Sequence, residues 1–227
     1  MRVLKRVLPF ALFAAVIAGL SVFRRVRLRA KRTEQHADPA FMYAMHAAFR
    51  RDLDRLVSQA HAPSQHTLDG WDVLRRQLES HHRGEDEDLW PVLREHVNTP
   101  VIDDMEHEHA MVPPALDAVQ RAIDGNGSFD AQARELQRLV VEHLDHEERT
   151  ALPLVAAYLS AQEWHDWLVK ERSRHQPKER VEFLSWVLDD ADEDNAETVL
   201  RELPPPGRVV YRRVLAPRYR RRQLWAA

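Results

Sequence analysis

From Pro39 onward the apolar residues recur at intervals of three and four, the spacing of helices with one buried face. Phe41, Met42, Met45, Phe49, Leu53, Leu56 and Val57 form the first stripe and predict a helix ending near His61-Ala-Pro. A second helix opens at Thr67, read as an N-cap, and runs through Trp71, Leu74 and Leu78 toward Pro91 and beyond. Thr99-Pro100 predicts the start of a third, which carries Val101, Ile102, Met105, Val112, Leu116, Val119 and Ile123. Asp124-Gly-Asn-Gly stops it, and a fourth begins at Ser128 with Leu136, Leu139, Val140, Leu154 and Val155. Pro91 and Pro153 predict kinks or breaks near the ends of the second and fourth helices, and Pro113-Pro114 a kink inside the third.

These four helices read as two copies of one pair. At an offset of 63, Met42, His46, Phe49, Leu53 and Leu56 match Met105, His109, Val112, Leu116 and Val119. At an offset of 62, Leu74, Leu78, His81, Glu85, Pro91 and Val92 match Leu136, Val140, His143, Glu147, Pro153 and Leu154. Short connections make neighbours antiparallel, so the expected fold is all-α: an up-down four-helix bundle over 39–160. Ser160-Ala-Gln-Glu163 is a capping box that opens a fifth helix through Trp164, Trp167 and Leu168. Short helices over Pro177–Leu188 and Glu193–Leu203 complete an extension, 161–207, which Pro204-Pro205-Pro206-Gly207 ends.

The composition fits solvated helices around a core: 30% charged, 44% apolar, with only six glycines and four tyrosines among 227 residues. Zero cysteines exclude a disulfide scaffold, thiolate metal ligation and cysteine nucleophiles. The net charge of −3 conceals three parts. Residues 1–32 hold nine Lys/Arg and residues 208–227 hold seven Arg, neither with any acid. Residues 33–207 set seventeen bases against all thirty-six acids, a balance of −19 that repels nucleic acid. Val7 to Phe23 is an uncharged apolar run of seventeen residues followed by six basic residues, which predicts a single N-terminal transmembrane helix. The inner-membrane lipid is then a partner and the remainder of the chain is cytoplasmic; a cleaved signal peptide is the rival reading. The tail, 208–227, alternates apolar residues with arginine, and is either a membrane- or partner-docking segment or a basic tail packed loosely on the acidic body.

Four of the duplicated positions are histidine and two are glutamate: His46, His81, Glu85, His109, His143 and Glu147. All six fall on apolar stripes, and the i, i+4 pairs His81/Glu85 and His143/Glu147 each aim two donors at one spot. A lone histidine on such a face is more often a hydrogen-bonded core residue, and one His-x3-Glu pair is weak evidence. Two registered copies are not, because buried carboxylates are costly unless neutralised or bound to a cation. A metal centre at mid-bundle is the simplest resolution. A ferritin-type set fails: the first helix has no glutamate, and His82, like His107, reads as lying off its stripe. His146, three residues from His143, reads as an outer partner or substitute ligand.

The succession of His46, HRGEDEDLWP after His81, MEHEHAMV around His109 and HLDHEERTALP from His143 resembles the hemerythrin family, in particular bacterial HHE cation-binding domains. The resemblance implies a non-haem di-iron centre with a bridging oxygen, held by His46, His81, Glu85, His109, His143 and Glu147. Oxygen-carrying hemerythrins have a His-x3-His pair on the third helix, where this chain has Met105, and an aspartate where it has Glu147. The set looks more like the symmetric actinobacterial hemerythrin-like proteins, which weakens the case for an oxygen carrier. Two octahedral irons offer about twelve positions, of which these donors and one bridging oxygen leave roughly one open on each metal. The expectation is binding, sensing or reduction of O2, peroxide or nitric oxide, with weak catalase- or peroxidase-like turnover an open question. An alternative is a non-catalytic iron- or redox-responsive interaction module, and a tetrahedral zinc site suits the donor set less well.

Overall fold

A computed structural model describes residues 35–226. The elements are α1 (Ala40–Gln59), α2 (Gln65–Gly84), a π-helical turn (Glu85–Leu89), α3 (Trp90–His96), α4 (Val101–Ile123) and α5 (Phe129–Tyr158). Beyond them lie α6 (Ala161–Arg174), α7 (Pro177–Val187), α8 (Glu193–Arg201), α9 (Pro205–Val210), a second π turn (Tyr211–Leu215) and α10 (Ala216–Arg220). Among the described residues there is no strand, only an isolated bridge between His36 and Ser160.

Helices α1, α2, α4 and α5 enclose the core: α1 packs on α2 and α5, and α4 on α5 and α2. Phe49, Leu53, Leu74, Leu78, Leu116, Val140 and Leu144 are fully or almost fully buried there. Burying each such side chain contributes about 1.5–3 kcal/mol relative to exposing it. The chain is therefore a helical bundle whose inward stripes are the ones read from the sequence.

Local chemistry sets the helix ends. α2 starts at Gln65, not after Thr67, because Ser64 Oγ accepts from the Thr67 amide while Thr67 Oγ1 accepts from the Ser64 amide. Ser128 and the Ser160/Glu163 box cap α5 and α6 as their spacing indicates. α4 and α5 continue as single helices through Pro113-Pro114 and Pro153, so neither proline site breaks its helix. Pro91 and Pro217 each stand two residues after a π turn. The wider turn relieves the clash of a proline ring with the carbonyl one turn earlier.

The basic tail, read as a docking segment or as packed loosely on the acidic body, is helical over Pro205–Arg220 and seated on the body. Tyr211, Ala216 and Tyr219 recur at helical spacing and are buried, as is Trp225. Trp225 lies against Gly70, where the absence of a side chain makes room for the indole, and Arg222 pairs with Glu182 on α7. The membrane-anchored placement expected from Val7–Phe23 is corrected: among the described residues no helix is long and apolar enough to cross a membrane. Each long helix keeps a charged outer face. The segment 7–23 itself lies outside the described residues.

Candidate metal centre

His46 projects from α1, His81 and His82 from the last turn of α2, and Glu85 opens the π turn; His109 comes from α4, His143 and Glu147 from α5. All seven are buried, Glu85, Glu147 and His46 completely. They form two adjoining groups: His46, His81, Glu85 and Glu147 in one, His82, His109 and His143 in the other, with donor atoms within 4.8 Å of one another inside each. The carboxylates border both groups. Glu85 lies 3.5 Å from His81 Nε2 and 3.6 Å from His109 Nε2, and Glu147 lies 3.2 Å from His46 Nε2 and 3.8 Å from His143 Nε2.

Apart from His109 Nε2 and His143 Nε2, which lie 3.1 Å apart, the inner atoms lack partners. Both oxygens of Glu85 and of Glu147, both nitrogens of His81, and Nε2 of His46 and of His82 are buried without a hydrogen bond. Leaving one such group unsatisfied costs about 1–3 kcal/mol, so an array of them calls for a ligand. The outer nitrogens, by contrast, are tied down across helices. His46 Nδ1 meets Glu148 at 2.9 Å, His109 Nδ1 meets Asp86 at 2.7 Å, and His143 Nδ1 meets Glu108 at 2.9 Å. A carboxylate behind an imidazole turns the other nitrogen inward and raises its basicity, the arrangement found around bound metals. Arg50 braces Glu148 at 2.7 Å, and His146 shares Glu108 at 2.7 Å, so His146 is an outer partner and stands in neither group.

The duplication extends to this outer layer. Asp86 and Glu148 are equivalent at offset 62, as His109 and His46 are at 63, and each acid serves the matching histidine. The third bond breaks the symmetry. Glu108, behind His143, corresponds to Met45, and His81 has no carboxylate behind it.

Electrostatics sort the donors. Burial, reinforced by the neighbouring imidazoles, holds His81 and His82 well below the ordinary histidine pKa, hence neutral and able to ligate. At His46 burial opposes the charge, but Glu147 and Glu148 outweigh it and raise the pKa to about 9. Burial first, then the charge of Glu147, pushes Glu85 well above the carboxylate range. Burial acts the same way on Glu147, but His46 outweighs it and the pKa is lowered.

The sequence reading missed His82. Its ring stacks on His109 with centroids 4.1 Å apart and planes inclined 14°, beside His143. The signal was present, since Leu74, Leu78 and His82 are an i, i+4 series running into the core. The π turn shields this end of α2, where α6 closes over it. Trp167 Nε1 donates to the Gly84 carbonyl at 3.1 Å, and Lys170 and Arg174 pair with the buried Asp88.

Imidazoles and carboxylates from four helices, with their free atoms turned inward, define a metal-binding helical bundle. The comparison with family models agrees: residues 37–155 match the hemerythrin HHE cation binding domain. That is more than half of the chain, which therefore belongs to the hemerythrin HHE family. Neither a comparison with curated proteins nor one with solved structures gave a match.

Proposed function

We propose that the chain holds two iron ions and binds, senses or reduces O2, peroxide or nitric oxide there. His46 and His81 would hold one ion, His82, His109 and His143 the other, with Glu85 and Glu147 between them. The observation that carries this reading is the set of fully buried, unpartnered oxygens of Glu85 and Glu147 flanked by unpartnered imidazole nitrogens. These donors fit a pair of ions better than one, because seven side chains exceed the four tetrahedral positions of a structural zinc site.

When bound, a pair of redox-active ions supplies reversible one-electron chemistry and open positions for a small ligand. The chain supplies the rest. Glu148, Asp86 and Glu108 fix the orientation of His46, His109 and His143. Neutral His81 and His82 present lone pairs without first losing a proton. The apolar residues around the cluster, among them Phe49, Leu78 and Val112, exclude bulk water. In the rival reading, an interaction module, the basic tail recruits a partner; the tail's Tyr219 and Trp225 are buried on the body, while Arg212, Arg213, Arg220 and Arg221 are exposed.

The test is anaerobic loading of the purified chain with Fe(II), metal analysis, and optical spectra before and after O2 or peroxide is added. Two irons per chain and a ferric spectrum that disappears on reduction support the reading. Fewer than one iron per chain, or two irons retained by a His109→Ala/His143→Ala double variant, would sink it.

A further inference from the structure

The two copies of the donor-bearing hairpin differ along one stretch of backbone. Glu85 and Glu147 are equivalent at offset 62, as are Pro91 and Pro153. The stretch after Glu147 nevertheless continues α5 as regular α-helix, whereas Glu85–Leu89 is a π turn whose Glu85 carbonyl accepts from the Trp90 amide, five residues on. Both copies carry the proline, so the proline by itself does not open the turn. π turns are rare and gather at functional sites, and this one begins at a candidate ligand.

The first copy is distinguished by the residues that α6 grips, since Gly84 and Asp88 correspond to His146 and Thr150. Three contacts make the grip. Trp167 Nε1 donates to the Gly84 carbonyl at 3.1 Å in the buried interior. Asp88 is buried, and its two oxygens pair with Lys170 and with Arg174, which also reaches Glu87. Glu171 lies so close that a Cβ added at Gly84 would meet its Oε2 at 2.6 Å, so a glycine is what admits α6 to this distance. These contacts bracket Glu85 on both sides in sequence. α6 lies beyond residue 155, where the match to the family model ends, so the gripping helix is an addition to the matched domain.

We propose that Trp167, Lys170 and Arg174 are positioning residues for Glu85: by holding the π turn open they fix the backbone from which its carboxylate is presented to both groups of imidazoles. The proposal rests on the metal reading of the site and adds that the C-terminal extension, and not the bundle alone, sets how tightly metal is held. Packing that orients a ligating carboxylate tunes affinity as the acids behind the histidines do.

Cobalt(II) is the probe, titrated into the full chain and followed by its visible absorption. The Lys170→Met/Arg174→Met double variant changes two side chains that are partly exposed. Trp167→Phe keeps a ring and removes the donor. Each weakens cobalt binding about 10–100-fold, the range for partners one step behind a ligand, and shifts the absorption spectrum. Arg174→Lys keeps the pairing charge and titrates like the wild type. Gly70→Ala is the control for lost stability: it loosens the C-terminal segment near the other end of α2 and leaves cobalt affinity and spectrum unchanged. In the metal-free chain, hydrogen exchange over residues 84–90 quickens in the α6 variants and not in Gly70→Ala. The proposal is overturned if the α6 variants bind cobalt as the wild type does, or if Gly70→Ala weakens it as much. A wild type that takes up no cobalt sinks the metal reading. Exchange over 84–90 then decides the grip alone, and an unchanged rate in the α6 variants overturns it.

Discussion

Replacing Glu85 by methionine separates a carboxylate that holds the fold from one kept for a metal. Glu85 is completely buried, neither oxygen has a hydrogen bond, and the nearest imidazole nitrogens stand 3.5 and 3.6 Å away. In the metal-free chain it is therefore an unsatisfied group costing about 1–3 kcal/mol. Methionine has a similar length and adapts to the same space. It removes that cost but also deprives His81 and His109 of a polar neighbour, so the net gain is about 1–2 kcal/mol. In a chain of 227 residues each kcal/mol moves Tm by roughly 2–4 °C, which predicts a rise of about 2–8 °C. Melting followed by circular dichroism in the presence of a chelator measures it, and a second melt with Fe(II) measures what the metal adds. The wild type gains stability on loading by mass action, and Glu85→Met gains little or none. A metal-free variant that melts below the wild type would show that Glu85 stabilises the fold, and would refute the reasoning.

Further outcomes can be checked singly. His109→Ala lowers iron below two per chain by metal analysis, whereas the exposed His107→Ala leaves it unchanged; equal loss from both would dissolve the cluster assignment. Gly70→Ala drives a Cβ into the Trp225 ring, so the C-terminal segment undocks at a cost of about 1–3 kcal/mol. Trypsin then cuts after Arg221 and Arg222 faster than in the wild type, and an unchanged rate contradicts this. Asp52→Ala strands the buried Trp186 Nε1, which donates to Asp52 at 2.8 Å, and lowers stability by about 2–3 kcal/mol in a urea melt. The pH dependence follows from Glu182. Burial opposes its charge, but Arg222 and Arg76 hold its pKa below the ordinary 4.5. A lowered folded pKa contributes stability above pH 4.5 that is lost as pH falls through the folded value. Tail protection from an acid-active protease should therefore weaken in that lower range for the wild type and be pH-independent in Glu182→Gln.

Much of this molecule was legible in the chain. The period of the apolar residues located α1, α2, α4 and α5, because a helix must bury one stripe whatever it packs against. The two registered copies picked out His46, His81, Glu85, His109, His143 and Glu147, since neither hydrophobic nor surface positions explain histidine and glutamate recurring on buried faces. Even the outer acids left a trace, in Glu85-Asp86 and Glu147-Glu148 at offset 62. Capping was read correctly at Ser128 and at the Ser160/Glu163 box, and misplaced at Thr67, which is the N3 partner of a Ser64 cap and not the cap itself.

What remained depended on where helices come to lie against one another. That Asp86 reaches His109, Glu148 reaches His46 and Glu108 reaches His143 is a matter of contacts between different helices, and sequence spacing carries no distance across such a gap. His82 sat at the margin of its stripe, and only the packing of α2 against α4 and α5 decided that it faces His109. The tail looked like an alternation of arginine and apolar residues until Gly70 and Glu182 offered it a seat. Periodicity and repetition are properties of one strand of text, so the chain alone determined the bundle and its six inward donors. The company those donors keep, including a seventh donor, three bracing acids and the grip of α6 on the π turn, is set by three-dimensional packing and had to await the tertiary structure.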